Sequence, residues 1–345
     1  MGVVKKPPVV VRLVDVANHA GVGTSVVSRV LNEDPTLSVR DETRQRILDA
    51  ARVLDYRPNA FARGLKLAKT MTIGVVINLG YSENTPLIAA IERLAADHGY
   101  MTLLADASEF MSHGESYRRL LLERRVDGLL IATGLGEDAF LRRLGSHGVP
   151  VVFVNRRLNA AGPSISLDDE AGMSVAVEHL IELGHSKIAY IGGPAIIDIS
   201  RRRLAGYKRA MRAAGLRVPA QLVTDSSQHE EGGFEAMTRL LKEDDPPTAV
   251  AVWSVTVAVG ALSAIRRSGL SVPSDISVVT LHDAPIVDYL DPPLATVRMP
   301  MAKLAKIAVD SILKLAEHKS AADTVIGTPK PILLRRGSTA SPGAR

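Results

Sequence analysis

The 345-residue chain contains no cysteine. This absence excludes disulfide bonds, thiolate nucleophiles and metal sites with cysteine ligands. The chain also lacks a phosphate-binding loop of the Gly-x-x-x-x-Gly-Lys type, a Gly-x-Ser-x-Gly nucleophile elbow and a histidine pair at metal-ligand spacing. We therefore expect no cofactor, no metal and no enzymatic activity.

Only one long run lacks charge, the 18 residues from Thr248 to Ile265, and it approaches the length that crosses a membrane. Ser, Thr and Gly interrupt this run, and it lies within an alternation of strands and helices, so a buried strand followed by a buried helix explains it better. The first eleven residues hold too few apolar side chains for a signal peptide. We expect no membrane partner and a cytoplasmic location.

Positive charge is concentrated at one end of the chain. The formal net charge is +5, and residues 1–70 hold 12 Lys and Arg against seven Asp and Glu, whereas the remaining 275 residues are balanced. A local basic excess is typical of a segment that neutralises DNA phosphates and releases their counterions. The length predicts two or three domains.

Residues 13–32 predict two short helices joined by a tight turn at Gly21. The apolar residues before and after the turn recur at helical spacing, which is the pattern of a helix-turn-helix unit. The second helix then directs outward a polar and cationic face that fits the major groove of DNA, formed by Thr24, Ser25, Ser28, Arg29 and Asn32. A helical hairpin that packs inward and binds nothing fits the same spacing.

From Thr72 onward, short apolar runs alternate with amphipathic helices. A second cycle of the same kind begins near Ser164. This alternation predicts an α/β fold with mostly parallel sheets covered by helices on both faces. Two cycles imply two lobes with a cleft between them.

Particular runs of residues resemble the lactose-repressor (LacI/GalR) family of bacterial transcription regulators. The headpiece match is carried by Val14-Asp15-Val16-Ala17, Ala20-Gly21-Val22 and Val27-Ser28-Arg29-Val30-Leu31-Asn32. Further matches, including Arg203-Leu204-Ala205-Gly206-Tyr207 and Pro292-Pro293-Leu294-Ala295-Thr296-Val297, extend the resemblance over nearly the whole chain.

The resemblance implies an all-α headpiece at 1–57, a hinge helix and linker at 58–70, and a two-lobed core at 71–345 that is similar to periplasmic binding proteins. One lobe is expected at about 71–162 and 291–324, and the other at about 163–290 and 325–339. The expected partners are a double-stranded operator, a small-molecule effector and a second copy of the chain, in a homodimer.

The expected DNA contacts follow from the pattern of the headpiece and from the family. Arg29 is expected to position the second helix, while Thr24 and Ser25 select bases. In the family's hinge, a leucine that matches Leu65 enters the minor groove and kinks the operator. The DNA-binding residues are expected to be Leu13, Thr24, Ser25, Ser28, Arg29, Asn32, Asn59, Ala62 and Leu65.

The expected effector site lies in the cleft, where a ligand changes the angle between the lobes and so alters DNA affinity. Arg203 matches the family's ligand arginine, and Asn155 matches a polar residue at a strand end. Val255 and His282 stand where the family usually has acidic residues, and Asp283 follows. The effector is expected to be a sugar, a sugar acid or a phosphorylated sugar.

The loss of the usual acids beside a retained arginine favours an anionic ligand, because Arg203 would otherwise be poorly paired in a closed pocket. The alternative is a degenerate pocket that binds nothing, in a regulator that binds DNA constitutively.

Overall fold

The structure, a computed structural model, describes residues 11–32, 34–56, 69–112, 123, 125–134, 141, 150–158 and 162–343. The chain divides into two compact units, Met1–Thr70 and Met71–Arg345. Among the described residues, one hydrophobic cluster lies in the first unit and two lie in the second. Each unit therefore has a core of its own.

The described residues of the first unit form the helices α1 (Leu13–Ala20), α2 (Thr24–Leu31) and α3 (Asp41–Val53). Gly21 ends α1 in the left-handed region, at φ 63°, where a residue without a side chain avoids steric strain. The buried faces of the three helices meet in one apolar core around Val16, Val27 and Ile47. The two helices predicted over residues 13–32 are confirmed.

The described strands of the second unit form two six-stranded sheets. The order in the first sheet is β11-β5-β4-β3-β1-β2, and the order in the second is β12-β10-β9-β8-β6-β7. All pairings are parallel except that of β12 with β10. The strands are β1 (Thr72–Ile77), β2 (Met101–Asp106), β3 (Gly128–Ala132), β4 (Val151–Val154), β5 (Ser164–Leu167), β6 (Ile188–Gly192), β7 (Val223–Asp225), β8 (Ala249–Val252), β9 (Ser277–Leu281), β10 (Ala295–Arg298), β11 (Thr324–Ile326) and β12 (Ile332–Leu334).

Helices cover these sheets, as the alternation in the sequence predicts. They are α4 (Thr85–Asp97), α5 (Ala107–Ser112), α6 (Asp169–Glu182), α7 (Asp198–Ala213), α8 (Glu230–Leu240), α9 (Val255–Arg267) and α10 (Met301–Ala316). The uncharged run from Thr248 to Ile265 forms buried strand β8 followed by buried helix α9, which confirms its interpretation as core. Within the described ranges, no helix combines the length and apolarity that a membrane crossing requires.

The chain passes between the two sheets three times, after β5, after β10 and after β11. The lobe boundaries expected near 162 and 290 are therefore corrected to positions after Leu167 and Arg298. The physical reason is strand pairing: β5 hydrogen-bonds to β4 in the first sheet, whereas β10 hydrogen-bonds to β9 in the second. The third passage follows Ile326, close to the expected boundary at 325.

Helices α8 and α9 approach so closely that their backbones touch at Gly260. A Cβ atom at this position would lie 1.8 Å from the carbonyl oxygen of Glu230 and 2.8 Å from the backbone nitrogen of Phe234. Since backbone atoms of a packed helix cannot move aside alone, any side chain at Gly260 must push the two helices apart.

We expect Gly260→Ala to lower the free energy of unfolding by about 2–3 kcal/mol, although alanine is the better helix former by about 1 kcal/mol. Urea unfolding followed by the fluorescence of Trp253, the single tryptophan of the chain, measures this loss in the second unit. Gly327→Ala is the control, because a Cβ there would meet nothing within 4 Å. If both variants unfolded at the same urea concentration, the close approach of α8 and α9 at Gly260 would be contradicted.

Candidate nucleic-acid interface and ligand cavity

Helix α2 separates an apolar face from a polar one. Val27 and Val30 are buried in the core of the first unit. On the opposite side Thr24, Ser25 and Asn32 are exposed, whereas Ser28 and Arg29 are half-buried, as is Leu13 on α1. The short polar side chains at the start of α2 are therefore free to meet another molecule.

Arg29 ties the end of α2 to the turn that follows it. Its Nε donates to Oδ2 of Asp34 over 2.8 Å, and its Nη2 donates to Oγ1 of Thr36 over 2.9 Å. Hydrogen bonds from Thr36 and from Arg29 hold the pKa of Asp34 well below its usual range. These contacts hold the end of α2 against the turn that follows it.

Three of the predicted DNA contacts, Asn59, Ala62 and Leu65, lie outside the described residues. The expected hinge helix falls on the same segment of the chain.

A cavity of about 100 Å³ lies between the two lobes of the second unit. By the same measure one water needs about 10–15 Å³, so the cavity has room for a small metabolite rather than a single water. The first lobe contributes Asn78, Glu83 and Asn155, and the second contributes Arg203, Trp253 and His282, among other residues.

Two of these residues adopt left-handed backbone conformations at the ends of strands. Asn155 follows β4 at φ 52°, and His282 follows β9 at φ 67°. Such strain in residues other than glycine concentrates at binding and active sites. The side chain of Asn155 also has a structural role, because its Oδ1 accepts a hydrogen bond of 2.9 Å from the backbone nitrogen of Leu167.

Arg203 already has a carboxylate partner inside the protein. Its Nε donates to Oδ1 of Asp169 over 2.8 Å, its Nη1 donates to the carbonyl oxygen of Trp253 over 2.5 Å, and its Nη2 lies 2.8 Å from Oδ1 of Asp169. The expectation that Arg203 lacks an acidic partner is therefore wrong. Asp169 begins helix α6, 34 residues before the arginine, and the fold brings the two side chains together.

Asp169 is fully buried, and a second arginine also pairs with it. Nη1 of Arg202 donates to Oδ2 of Asp169 over 2.5 Å, while its Nε donates to Asp198 over 3.0 Å. Burial raises the pKa of Asp169, but the positive charges of Arg203 and Arg202 outweigh it and hold this pKa below its ordinary value. The carboxylates of Asp169 and Asp198 thus compensate the positive charges of the two guanidinium groups.

His282 extends this arginine cluster. Its Nε2 lies 2.6 Å from Nη2 of Arg203. Because an arginine only donates hydrogen bonds, Nε2 must accept, which assigns the ring proton to Nδ1. Burial and the neighbouring Arg203 lower the pKa of His282 to about 3, so the ring is neutral at pH 7.

The other two effector candidates do not line the cavity. Val255 is the first residue of α9 and is completely buried. Asp283 accepts hydrogen bonds from Thr296, Arg298 and Arg336, at 2.8–3.0 Å for the closest contact of each. Asn155, Arg203 and His282 are the predicted residues that the fold brings together at the cavity.

Most of the cavity residues escaped the sequence reasoning, Glu83 and Trp253 among them. Glu83 lies in a short 3-10 helix, Ser82–Asn84, and nothing in the surrounding sequence marks it. Trp253 lies in the uncharged run that was interpreted as core, and its ring centroid is 5.5 Å from the guanidinium carbon of Arg203. The only signal in the sequence that could have singled out Trp253 is that it is the single tryptophan of the chain.

Comparison with known proteins decides the family. The chain is 33% identical over 332 residues to the ribose operon repressor of Escherichia coli strain K12, covering 94% of this chain and 98% of that repressor. The chain belongs to the LacI family. Residues 12–59 match the family model for bacterial regulatory proteins of the lacI family, and residues 177–339 match the one for a periplasmic binding protein-like domain.

Other members of the LacI family match over similar lengths. Catabolite control protein A of Priestia megaterium is 30% identical over 334 residues, covering 95% of this chain and 99% of that protein. A crystal structure of the lac repressor dimer bound to operator and the anti-inducer ONPF matches with a TM-score of 0.81 at 30% identity, covering 97% of this chain and all of that one. This LacI-family chain is a DNA-binding transcription regulator with an effector-binding domain.

Proposed function

We propose that the chain is a homodimeric repressor that binds a palindromic double-stranded operator and whose operator affinity is set by a small metabolite. The observation that carries the proposal is the exposed polar face of α2 above a buried apolar core, in a segment that matches the lacI family model. Two relatives are named a ribose operon repressor and an HTH-type transcriptional repressor PurR, and these names support the role of a repressor.

The proposed domains are a headpiece at 1–57, a hinge at 58–70 and an effector-binding and dimerising core at 71–345. Thr24 and Ser25 at the start of α2 read base edges in the major groove, and Arg29 positions the helix. Leu65 kinks the operator from the minor groove. The function requires no catalysis and no cofactor, and it is exercised on DNA in the cytoplasm.

The proposed effector binds in the cavity between the lobes and biases their relative angle. Hydrogen bonds already join the lobes there, and two of them involve residues of opposite lobes facing each other: the hydroxyl of Tyr81 donates to Gln228 over 3.2 Å, and Oγ1 of Thr256 donates to Glu83 over 2.9 Å. A ligand that competes for these groups changes the contacts between the lobes. The effector then binds with different free energies to two arrangements of the lobes. Such a difference is what a ligand needs in order to shift the population from one arrangement to the other.

A constitutive DNA-binding regulator with a degenerate pocket is the second candidate. The observation in its favour is that Arg203 uses three of its N–H donors inside the protein, on Asp169, Trp253 and His282. Titration of the full chain with sugars of different charge, followed by Trp253 fluorescence, separates the two candidates.

The base-reading role of α2 predicts a change of operator preference on substitution. We expect Thr24→Gln together with Ser25→Gln to select different bases in each half-site and to bind the original operator at least about tenfold more weakly, since one mismatched pair costs about 1–3 kcal/mol. Selection from a random duplex library with the full chain measures the preference. Val53→Thr, at a position on α3 that is 70% exposed, is the control. An unchanged selected sequence in the double variant would refute the assignment of α2.

A further inference from the structure

The charges around the cavity are unevenly compensated. Among the cavity-lining residues that the structure describes, Glu83 and Arg203 are the two that carry charge. Arg203 is neutralised by its ion pair with the buried Asp169, and His282 is neutral because its Nε2 accepts from Arg203. The second lobe therefore offers an anion no uncompensated positive charge.

Glu83 is the exception. It is only 5% exposed, and its Oε2 accepts one hydrogen bond, from Thr256. No cation in the described part of the chain pairs with it. Since a carboxylate accepts about four hydrogen bonds, Glu83 retains most of its accepting capacity.

Burying a carboxylate without a cation is costly. Thr256 is the second residue of α9, so the partial positive charge at the start of that helix offsets part of the cost. The remaining acceptors face a cavity large enough for a metabolite.

We infer that Glu83 is an effector-binding residue and that the effector is not an anion but presents hydroxyl or ammonium donors to this carboxylate. The inference rests on the proposed effector function of the cavity. It narrows the expected ligands to neutral or cationic compounds, because the carboxylate of a sugar acid or the phosphate of a sugar phosphate would repel Glu83 across a site of low dielectric constant. Glu83 is thus a specificity-determining residue.

The test uses the full chain and compounds that share a ring and differ in charge. Each series holds an amine, a neutral sugar and an anion: 6-amino-6-deoxyglucose, glucose and glucuronate in one, and the galactose counterparts in the other. Because Trp253 is the single tryptophan and lines the cavity, its fluorescence reports binding directly. Operator affinity of the same preparations is measured in parallel.

In a series that binds, we expect the amine or the neutral sugar to bind at least about tenfold more tightly than the anion. Glu83→Gln should weaken that binding about tenfold and reduce the difference in affinity between the members of the series. Glu235→Gln, which removes the same charge from an exposed position on α8, should leave every affinity unchanged. Thr256→Val removes the hydrogen bond to Glu83 but keeps the carboxylate, so this variant should retain the preference against anions. It shows whether a change in Glu83→Gln comes from the lost charge or from a folding defect.

Tightest binding of the anion, or equal affinities in Glu83→Gln and the unmodified chain, would overturn the inference and leave the effector function standing. If no member binds to protein whose operator binding is intact, both the inference and the effector function fail. The second candidate, a regulator with a degenerate pocket, then takes their place.

Discussion

We expect Asp169→Ala to lower the free energy of unfolding of the second unit by about 3–5 kcal/mol, the usual cost of breaking a buried ion pair by removing one partner. Asp169 is completely buried and pairs with both Arg202 and Arg203. Without it, Arg203 keeps its positive charge in a buried site where no other carboxylate in the described part of the chain pairs with it. Urea unfolding followed by Trp253 fluorescence measures the loss.

The neighbouring residue supplies a matched control. Glu170 also pairs with an arginine, Arg209, but the side chains are 41% and 51% exposed. An ion pair in that setting contributes about 0–1 kcal/mol, so Glu170→Ala should be nearly neutral. If the two alanine variants unfolded at the same urea concentration, the buried cluster would not have the importance assigned to it.

A second comparison separates charge from packing. Asp169→Ala combined with Arg203→Met removes both ends of the Asp169–Arg203 pair and replaces the guanidinium with an apolar side chain. Replacing a buried pair by apolar residues is often neutral or stabilising, so the double variant should recover part of the stability that Asp169→Ala loses. No recovery would indicate that the loss comes from packing around Asp169 rather than from an uncompensated charge.

The secondary structure could be predicted because its signals are local. Gly21 marks the turn between α1 and α2, and the apolar spacing on either side of it requires only neighbouring residues. The parallel sheets follow from the alternation of apolar runs and helices. The lobe boundaries were less accurate, since whether β5 and β10 belong to one sheet or the other depends on which strand pairs with them, and strand pairing is not local.

The cavity could be predicted only in part. The family motif identifies Arg203 as a cavity residue. Asn155 is identified by its own position at the end of strand β4. The partner of Arg203 was missed because Asp169 meets it through the packing of α6 against α7, a contact that a single sequence does not reveal. Glu83 was missed for the same reason, since its hydrogen-bond partner Thr256 lies 173 residues further along the chain.

Val255 shows how a family pattern misleads when it is applied to a changed position. The absence of an acid there suggested a pocket altered at that point, yet Val255 packs in the core and does not line the cavity. His282 is different, because it lines the cavity and accepts from Arg203. At His282 a neutral acceptor therefore stands where the family usually has an acid, and Asp169 supplies the carboxylate that pairs with Arg203.

Operator binding is expected to show the largest effect of all, through its dependence on salt. A dimer that contacts about 6–10 phosphates loses about 10³–10⁵-fold in affinity between 50 and 200 mM salt, because each contact releases bound counterions. The basic excess of residues 1–70 supplies the cations for these contacts. The balanced charge of the rest of the chain predicts that it contributes little to this dependence.

The most direct test of a DNA-binding regulator is therefore a salt titration of the full chain on its selected operator, followed by fluorescence anisotropy. A scrambled duplex and a single strand of the same length are the controls, and sedimentation at the same salt concentrations reports the oligomeric state. We predict a dimer whose affinity falls linearly on logarithmic axes by at least about 10³-fold from 50 to 200 mM salt, with the operator preferred over both controls throughout. A flat salt response, or preferential binding of the single strand, would contradict the assignment of this chain as an operator-binding regulator.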